Sequence, residues 1–162
     1  MKYFLCFGSN LGNRRRNLHK ALNLLENKGI HIIQTSSIYE TQPVDLSSQA
    51  WFLNQVGEVK SGFNPEKLLS KVQEIETEMG RKPSIPKGPR IIDIDILMAE
   101  DRIIQTEDLK IPHPRLDKRN FVLFPFAEIS PQTIHPVFKK TIRRLAQECT
   151  DQAVIQPYHP EQ

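Results

Sequence analysis

The spacing of apolar residues changes repeatedly along the chain, and the changes mark out its elements. Tyr3 to Phe7 is a short apolar and aromatic run that predicts a buried strand, ended by Gly8. The turn from Gly8 to Asn13 leads into a helix whose Leu18, Ala21, Leu22 and Leu25 share one face, with Gly29 as its stop. Ile30, Ile32 and Ile38 fall in period two and predict a second strand over Ile30 to Tyr39. After a loop from Thr41 to Ala50, Phe52 to Lys60 predicts a third strand, with Phe52, Asn54 and Val56 on one face. Asn64 is placed to cap, and Pro65 to open, a second helix with the stripe Leu68, Leu69, Val72, Ile75 and Met79, stopped at Gly80. A proline-broken basic loop, Arg81 to Arg90, then leads to a fourth strand over Ile91 to Met98.

This β-α-β-β-α-β order predicts an α+β fold with a ferredoxin-like core. The rest of the chain adds to it at the C-terminal side. The pattern there predicts a short strand or hairpin arm over Arg102 to Gln105, a short helix over Phe121 to Ala127 and a last helix over Thr141 to Glu148.

Composition narrows the class. A chain of 162 residues that is 38% hydrophobic and 25% charged fits one folded domain over residues 1–162, with a core that needs no disulfide. No apolar run approaches the roughly 20 residues that span a bilayer, and the first residues lack a cleavable leader's pattern. The expectation is a cytoplasmic protein with no membrane partner. The two cysteines, Cys6 and Cys149, have no metal-ligand spacing and read as buried free thiols. A net charge of +3 suits an anionic small-molecule substrate and does not demand nucleic acid. A monomer is expected.

The sharpest chemical signal is IIDIDIL at 91–97. Alternation puts Asp93 and Asp95 on one strand face, about 6.6 Å apart along the strand, while Ile92, Ile94 and Ile96 turn to a core. Two carboxylates at that spacing suit magnesium, which takes hard oxygens and keeps waters and phosphates as its other ligands. A salt-bridged polar face is the alternative. Arg81 and Arg90 flank the loop before this strand, and guanidinium groups suit phosphate. His113 lies between two prolines with Arg115 and Arg119 close behind, so the backbone would present it rigidly. Phe52 beside Asn54 would suit a flat heterocycle, although core packing explains Phe52 equally well. Arg14, Arg15 and Arg16 read as solvated surface, and GSNLGN lacks the GK[ST] of a phosphate-binding P-loop.

Taken together, FGSNLGN at the start, SSIYET with Pro43, FLN at 52–54, the run from Glu76 to Arg81, GPRIIDIDIL at 88–97 and IPHPRLDKRNFVLFP at 111–125 resemble the 6-hydroxymethyl-7,8-dihydropterin pyrophosphokinases of folate synthesis. The resemblance covers nearly the whole chain. It implies transfer of pyrophosphate from ATP to the pterin hydroxymethyl group, with release of AMP and with two magnesium ions bridging the phosphates. By the same resemblance Asp93 and Asp95 hold the metal, and Arg81 and Arg90 join them as catalytic residues on the phosphates. Gln73, His113 and Arg119 help bind ATP or close the site. Phe52 and Phe121 sandwich the pterin, while Thr41, Asn54 and the stretch at Pro43 and Val44 read its edge. The chain departs from the family pattern at Lys82 and Lys87, where a second arginine and a tryptophan are usual, and at Gln42, where proline is common. Two other classes make different demands. An RNA-binding module on this framework would want aromatics and no paired acids on its strands, and a phosphohydrolase would want a water-activating base.

Overall fold

The computed structural model describes residues 1–43, 50–81 and 89–160. Its elements in chain order are β1 (Lys2–Ser9), α1 (Arg14–Asn27), β2 (His31–Thr35), β3 (Tyr39–Thr41), β4 (Phe52–Lys60), α2 (Pro65–Glu78), β5 (Asp93–Ala99), β6 (Ile104–Gln105), β7 (Lys110–Ile111), α3 (Asn120–Ile129), α4 (Ile142–Glu148) and β8 (Ile155–Pro157). The main sheet runs β5-β1-β4-β3-β8, and β2 also pairs with β4. Every pairing is antiparallel. With β2 and β3 taken as one interrupted strand, the order is that of the expected ferredoxin-like core.

Both faces of the sheet are covered. Tyr3, Leu5 and Phe7 of β1 pack with Leu18 and Leu25 of α1 and Leu68, Val72 and Ile75 of α2. Phe4 and Cys6 point the other way, against Val122, Leu123 and Phe126 of α3 and Leu145 of α4. The apolar run in β1 is unbroken because neither face meets water. β5 obeys the same alternation. Ile92, Ile94 and Ile96 belong to the α1–α2 side. Asp95 lies opposite Cys6 and Asp93 opposite Gly8, on the α3 side.

Several boundaries differ from the sequence reading for local reasons. Gly8 does not end β1. It lies inside the strand, where a Cβ would meet Asn54 Oδ1 at 2.8 Å. The second strand is broken at Ser36, whose backbone N–H bonds Val56 O (2.8 Å) and whose hydroxyl accepts from Val56 N (3.0 Å). β5 begins at Asp93, two residues later than expected. Arg14 is not solvated surface, since Nη1 donates to Glu40 Oε2 and to the Trp51 carbonyl, both at 2.8 Å. Both cysteines are free, but only Cys6 is buried; Cys149 is partly exposed. Asn13, Asn64 and Thr141 each cap a helix by accepting a main-chain N–H.

Candidate active site

A cavity of about 570 Å³ lies at the ends of β1, β4 and β5, beside the first turn of α3. Thr41, Pro43, Phe52, Asn54, Gln73, Arg81, Arg90, Asp93, Asp95, His113, Arg119 and Phe121 all line it. Each of these was expected to be functional. Val44 and the departures at Lys82 and Lys87 lie outside the described residues. The structure adds Glu76, Arg115, Gln42 and Cys6 to the wall.

One end of the cavity is aromatic and amide-bearing. Phe52 and Asn54 stand on the same face of β4, close over Gly8. Asn54 Nδ2 donates to the buried Thr41 hydroxyl, which fixes the amide and leaves Oδ1 without a partner among the described residues. Phe121 enters from the first turn of α3, with the Arg119 guanidinium 5.4 Å from its ring centre.

The other end is ionic. Asp93 Oδ1 lies 3.1 Å from Arg81 Nη1 and Asp93 Oδ2 lies 3.4 Å from Arg90 Nη1. Asp95 has no ion pair or side-chain hydrogen bond among the described residues. Burial, and then the charge of Asp93, push its carboxyl up to about 7. Arg119 and Arg81 only partly offset this, and a carboxylate raised by burial and a like charge fits a bound cation. Among the described residues no three or more His, Cys, Asp or Glu side chains converge on a metal position. The pair Asp93 and Asp95 suits magnesium, which needs one or two carboxylates and takes phosphate oxygens for the rest. Among the described residues the lining holds four arginines against three carboxylates, a cationic excess that suits an anionic ligand.

Two local arrangements set the remaining donors. Arg115 N donates to His113 Nδ1 at 3.1 Å, which assigns the ring proton to Nε2. Burial, with Arg119 and Arg115 nearby, holds the imidazole down at about 4, so it is a neutral donor at physiological pH. Asn10 joins two walls: Nδ2 donates to Ala50 O (3.2 Å), and Oδ1 accepts from Arg90 N (2.7 Å).

Glu76 is the residue the sequence reading undervalued. It is buried, one position beyond Ile75 of the α2 stripe, and its Oε2 accepts from Arg81 Nη1 (2.7 Å) and from Ile94 N (2.9 Å). Burial raises its carboxyl, and the Ile94 N–H and Arg81 oppose that rise. A single acid on a helix looks like solvated surface in sequence. Two signals were available, its position next to an apolar stripe and its place at the head of the run from Glu76 to Arg81 that carries the family resemblance.

Residues 4–131 match the model of the 7,8-dihydro-6-hydroxymethylpterin-pyrophosphokinase (HPPK) family. A 2-amino-4-hydroxy-6-hydroxymethyldihydropteridine pyrophosphokinase of Aquifex aeolicus is 41% identical over 147 residues, 91% of each chain. The protein of the same name from Bacillus subtilis is 45% identical over 130 residues, 80% of this chain and 78% of that one. A crystal structure of a Plasmodium falciparum HPPK-DHPS variant superposes with a TM-score of 0.75 at 20% identity, over 91% of this chain and 45% of that one, and supports the fold alone. With most of its length matched by the family model and by relatives above 40% identity, this chain belongs to the 7,8-dihydro-6-hydroxymethylpterin-pyrophosphokinase family.

Proposed function

We infer that this protein transfers the terminal pyrophosphate of ATP to the hydroxymethyl group of 6-hydroxymethyl-7,8-dihydropterin, giving AMP and the pterin diphosphate for folate synthesis. The observation that carries this reading is the single cavity with an aromatic-amide end and an aspartate-arginine end. In the transfer, a bond forms between the hydroxymethyl oxygen and the β-phosphorus. The bond from that phosphorus to the α,β-bridging oxygen breaks, AMP leaves with the electron pair, and the hydroxyl proton is released.

Each end supplies different work. Phe52 and Phe121 would hold the pterin between them, with Asn54 Oδ1, Thr41 and the main chain near Pro43 and Val44 reading its edge. Asp93 and Asp95 would hold magnesium, and we propose two ions, which when bound neutralise the phosphate oxygens and leave Arg81 and Arg90 free to turn from Asp93 to phosphate. Gln73, Arg119 and the Nε2–H of His113 would bind ATP. Rate enhancement on this reading comes mainly from aligning two bound substrates in a site that excludes water.

We also propose one domain over residues 1–162 working as a monomer in the cytoplasm. No helix among the described residues is long and apolar enough to cross a membrane. The direct test incubates the protein with ATP and magnesium, with and without the pterin, and separates the nucleotides. AMP that depends on the pterin supports the reading. ADP, or turnover that ignores the pterin, overturns it.

A further inference from the structure

Three bonds converge on Glu76 from residues the transfer reading depends on. Gly80, at φ +93°, turns the chain at the end of α2, so that Gly80 N reaches Thr77 O and Arg81 N reaches Glu76 O, both at 3.0 Å. This helix ending brings Arg81 back over the residue five positions before it. The Arg81 side chain then meets the Glu76 carboxylate as well, with Nη1 2.7 Å from Oε2. That oxygen also accepts the Ile94 N–H at 2.9 Å. β5 is an edge strand of the sheet, and Ile94 lies between Asp93 and Asp95. One buried carboxylate oxygen therefore ties a phosphate-facing arginine to the main chain between the two acids.

We propose that Glu76 is a positioning residue for Arg81, holding its guanidinium aimed into the cavity when Asp93 turns to magnesium. The proposal rests on the transfer reading for what Arg81 is aimed at. In the structure Arg81 Nη1 is shared between Glu76 and Asp93, at 2.7 and 3.1 Å. A cation on Asp93 removes one of these partners. An arginine left without a partner recovers its rotamer freedom and must lose it again at each turnover. Glu76 prevents this because it is itself fixed by the Ile94 N–H, a main-chain bond independent of Asp93. The remaining guanidinium N–H groups stay directed at the phosphates.

The test is a double-mutant cycle of E76Q and R81A, read in kcat and in affinity for magnesium with a non-hydrolysable ATP analogue. Glutamine keeps the length and an oxygen for the Ile94 N–H, and loses the charge that holds Arg81. E76Q is expected to lower kcat about 10- to 100-fold, as outer-shell carboxylates do, with pterin KM changed less than about twofold. In the R81A background the same change is expected to have less than about a twofold effect, because the partner it acts through is gone. Wild-type kcat in E76Q, or an equal loss with and without Arg81, overturns the proposal. A second readout keeps the idea testable if E76Q does not fold. In the wild-type protein with magnesium and the analogue, the Arg81 Nη–H signals, assigned by their loss in R81K, should be separate and slowly rotating. Fully averaged signals overturn the proposal. This readout is independent of turnover, so a wild-type protein that forms no AMP would refute the transfer reading and leave Glu76 to be judged on the NMR alone.

Discussion

Replacing Asp95 with asparagine should stabilise the ligand-free protein and disable it. Burial, and then Asp93, move the Asp95 carboxyl from 3.8 to about 7. A carboxyl raised on folding contributes stability that is full below about pH 4 and is lost as pH rises through about 7. At about 1.4 kcal/mol per pH unit, the ionised form opposes folding by at most about 4 kcal/mol above that range. The side chain lines an open cavity, so solvent screening should reduce this to about 2 kcal/mol. Urea unfolding in EDTA, across the range from about pH 5 to pH 8 in which the shift acts, gives the comparison. Wild type should lose stability with rising pH relative to Asp95→Asn, which should be the more stable protein at the alkaline end. Magnesium with a non-hydrolysable ATP analogue should reverse the order, since ligand at about 100 times its Kd adds about 2.7 kcal/mol to the protein that binds it. A variant less stable than wild type at alkaline pH, or one that gains as much from the ligand, would refute the reasoning.

Gly8→Ala places a methyl 2.8 Å from Asn54 Oδ1. The amide is held by Thr41, so titration calorimetry should find pterin affinity reduced about tenfold or more, with ATP affinity little changed, at a stability loss of about 1–3 kcal/mol. The His113 ring should titrate by NMR with a midpoint near 4, far below the ordinary 6.5. Its depressed value means that stability rises with pH between those limits, and His113→Gln should flatten that portion of the wild-type curve. A midpoint near 6.5 would remove the argument for a neutral His113. Asn10→Ala removes the Nδ2 bond to Ala50 O and the Oδ1 bond from Arg90 N, and should lower kcat and thermal stability together; an unaltered kcat would show that Arg90 holds its place without it.

The fold was legible wherever periodicity had a single cause. α2 was readable end to end because Asn64, Pro65, the apolar stripe and Gly80 all agree. The strand predicted over Ile30 to Tyr39 was only half right, because side chains still alternate across the break while Ser36 exchanges ladder pairing for its own hydrogen bonds with Val56. β8 went unseen: Ile155–Pro157 is only three residues long and mostly exposed, and its proline is tolerated because β8 lies at the sheet edge. In the site, alternation alone gave the shared face of Asp93 and Asp95. The pterin end needed the family resemblance, since Phe52 in a strand looks the same whether it packs a core or lines a cavity. Glu76 and Asn10 stood in the segments that carry the resemblance, but what they hold was hidden because their main-chain partners are distant in sequence, Ile94 for the one and Ala50 and Arg90 for the other.

Phosphorus NMR of one reaction mixture tests the central claim most directly. With ATP, magnesium and 6-hydroxymethyl-7,8-dihydropterin, AMP and pterin diphosphate should appear in equal amounts as ATP disappears, and omitting the pterin or adding EDTA should stop all three changes. Free pyrophosphate in place of the pterin diphosphate, or ADP in place of AMP, would contradict the claim that this cavity joins the two substrates for pyrophosphoryl transfer.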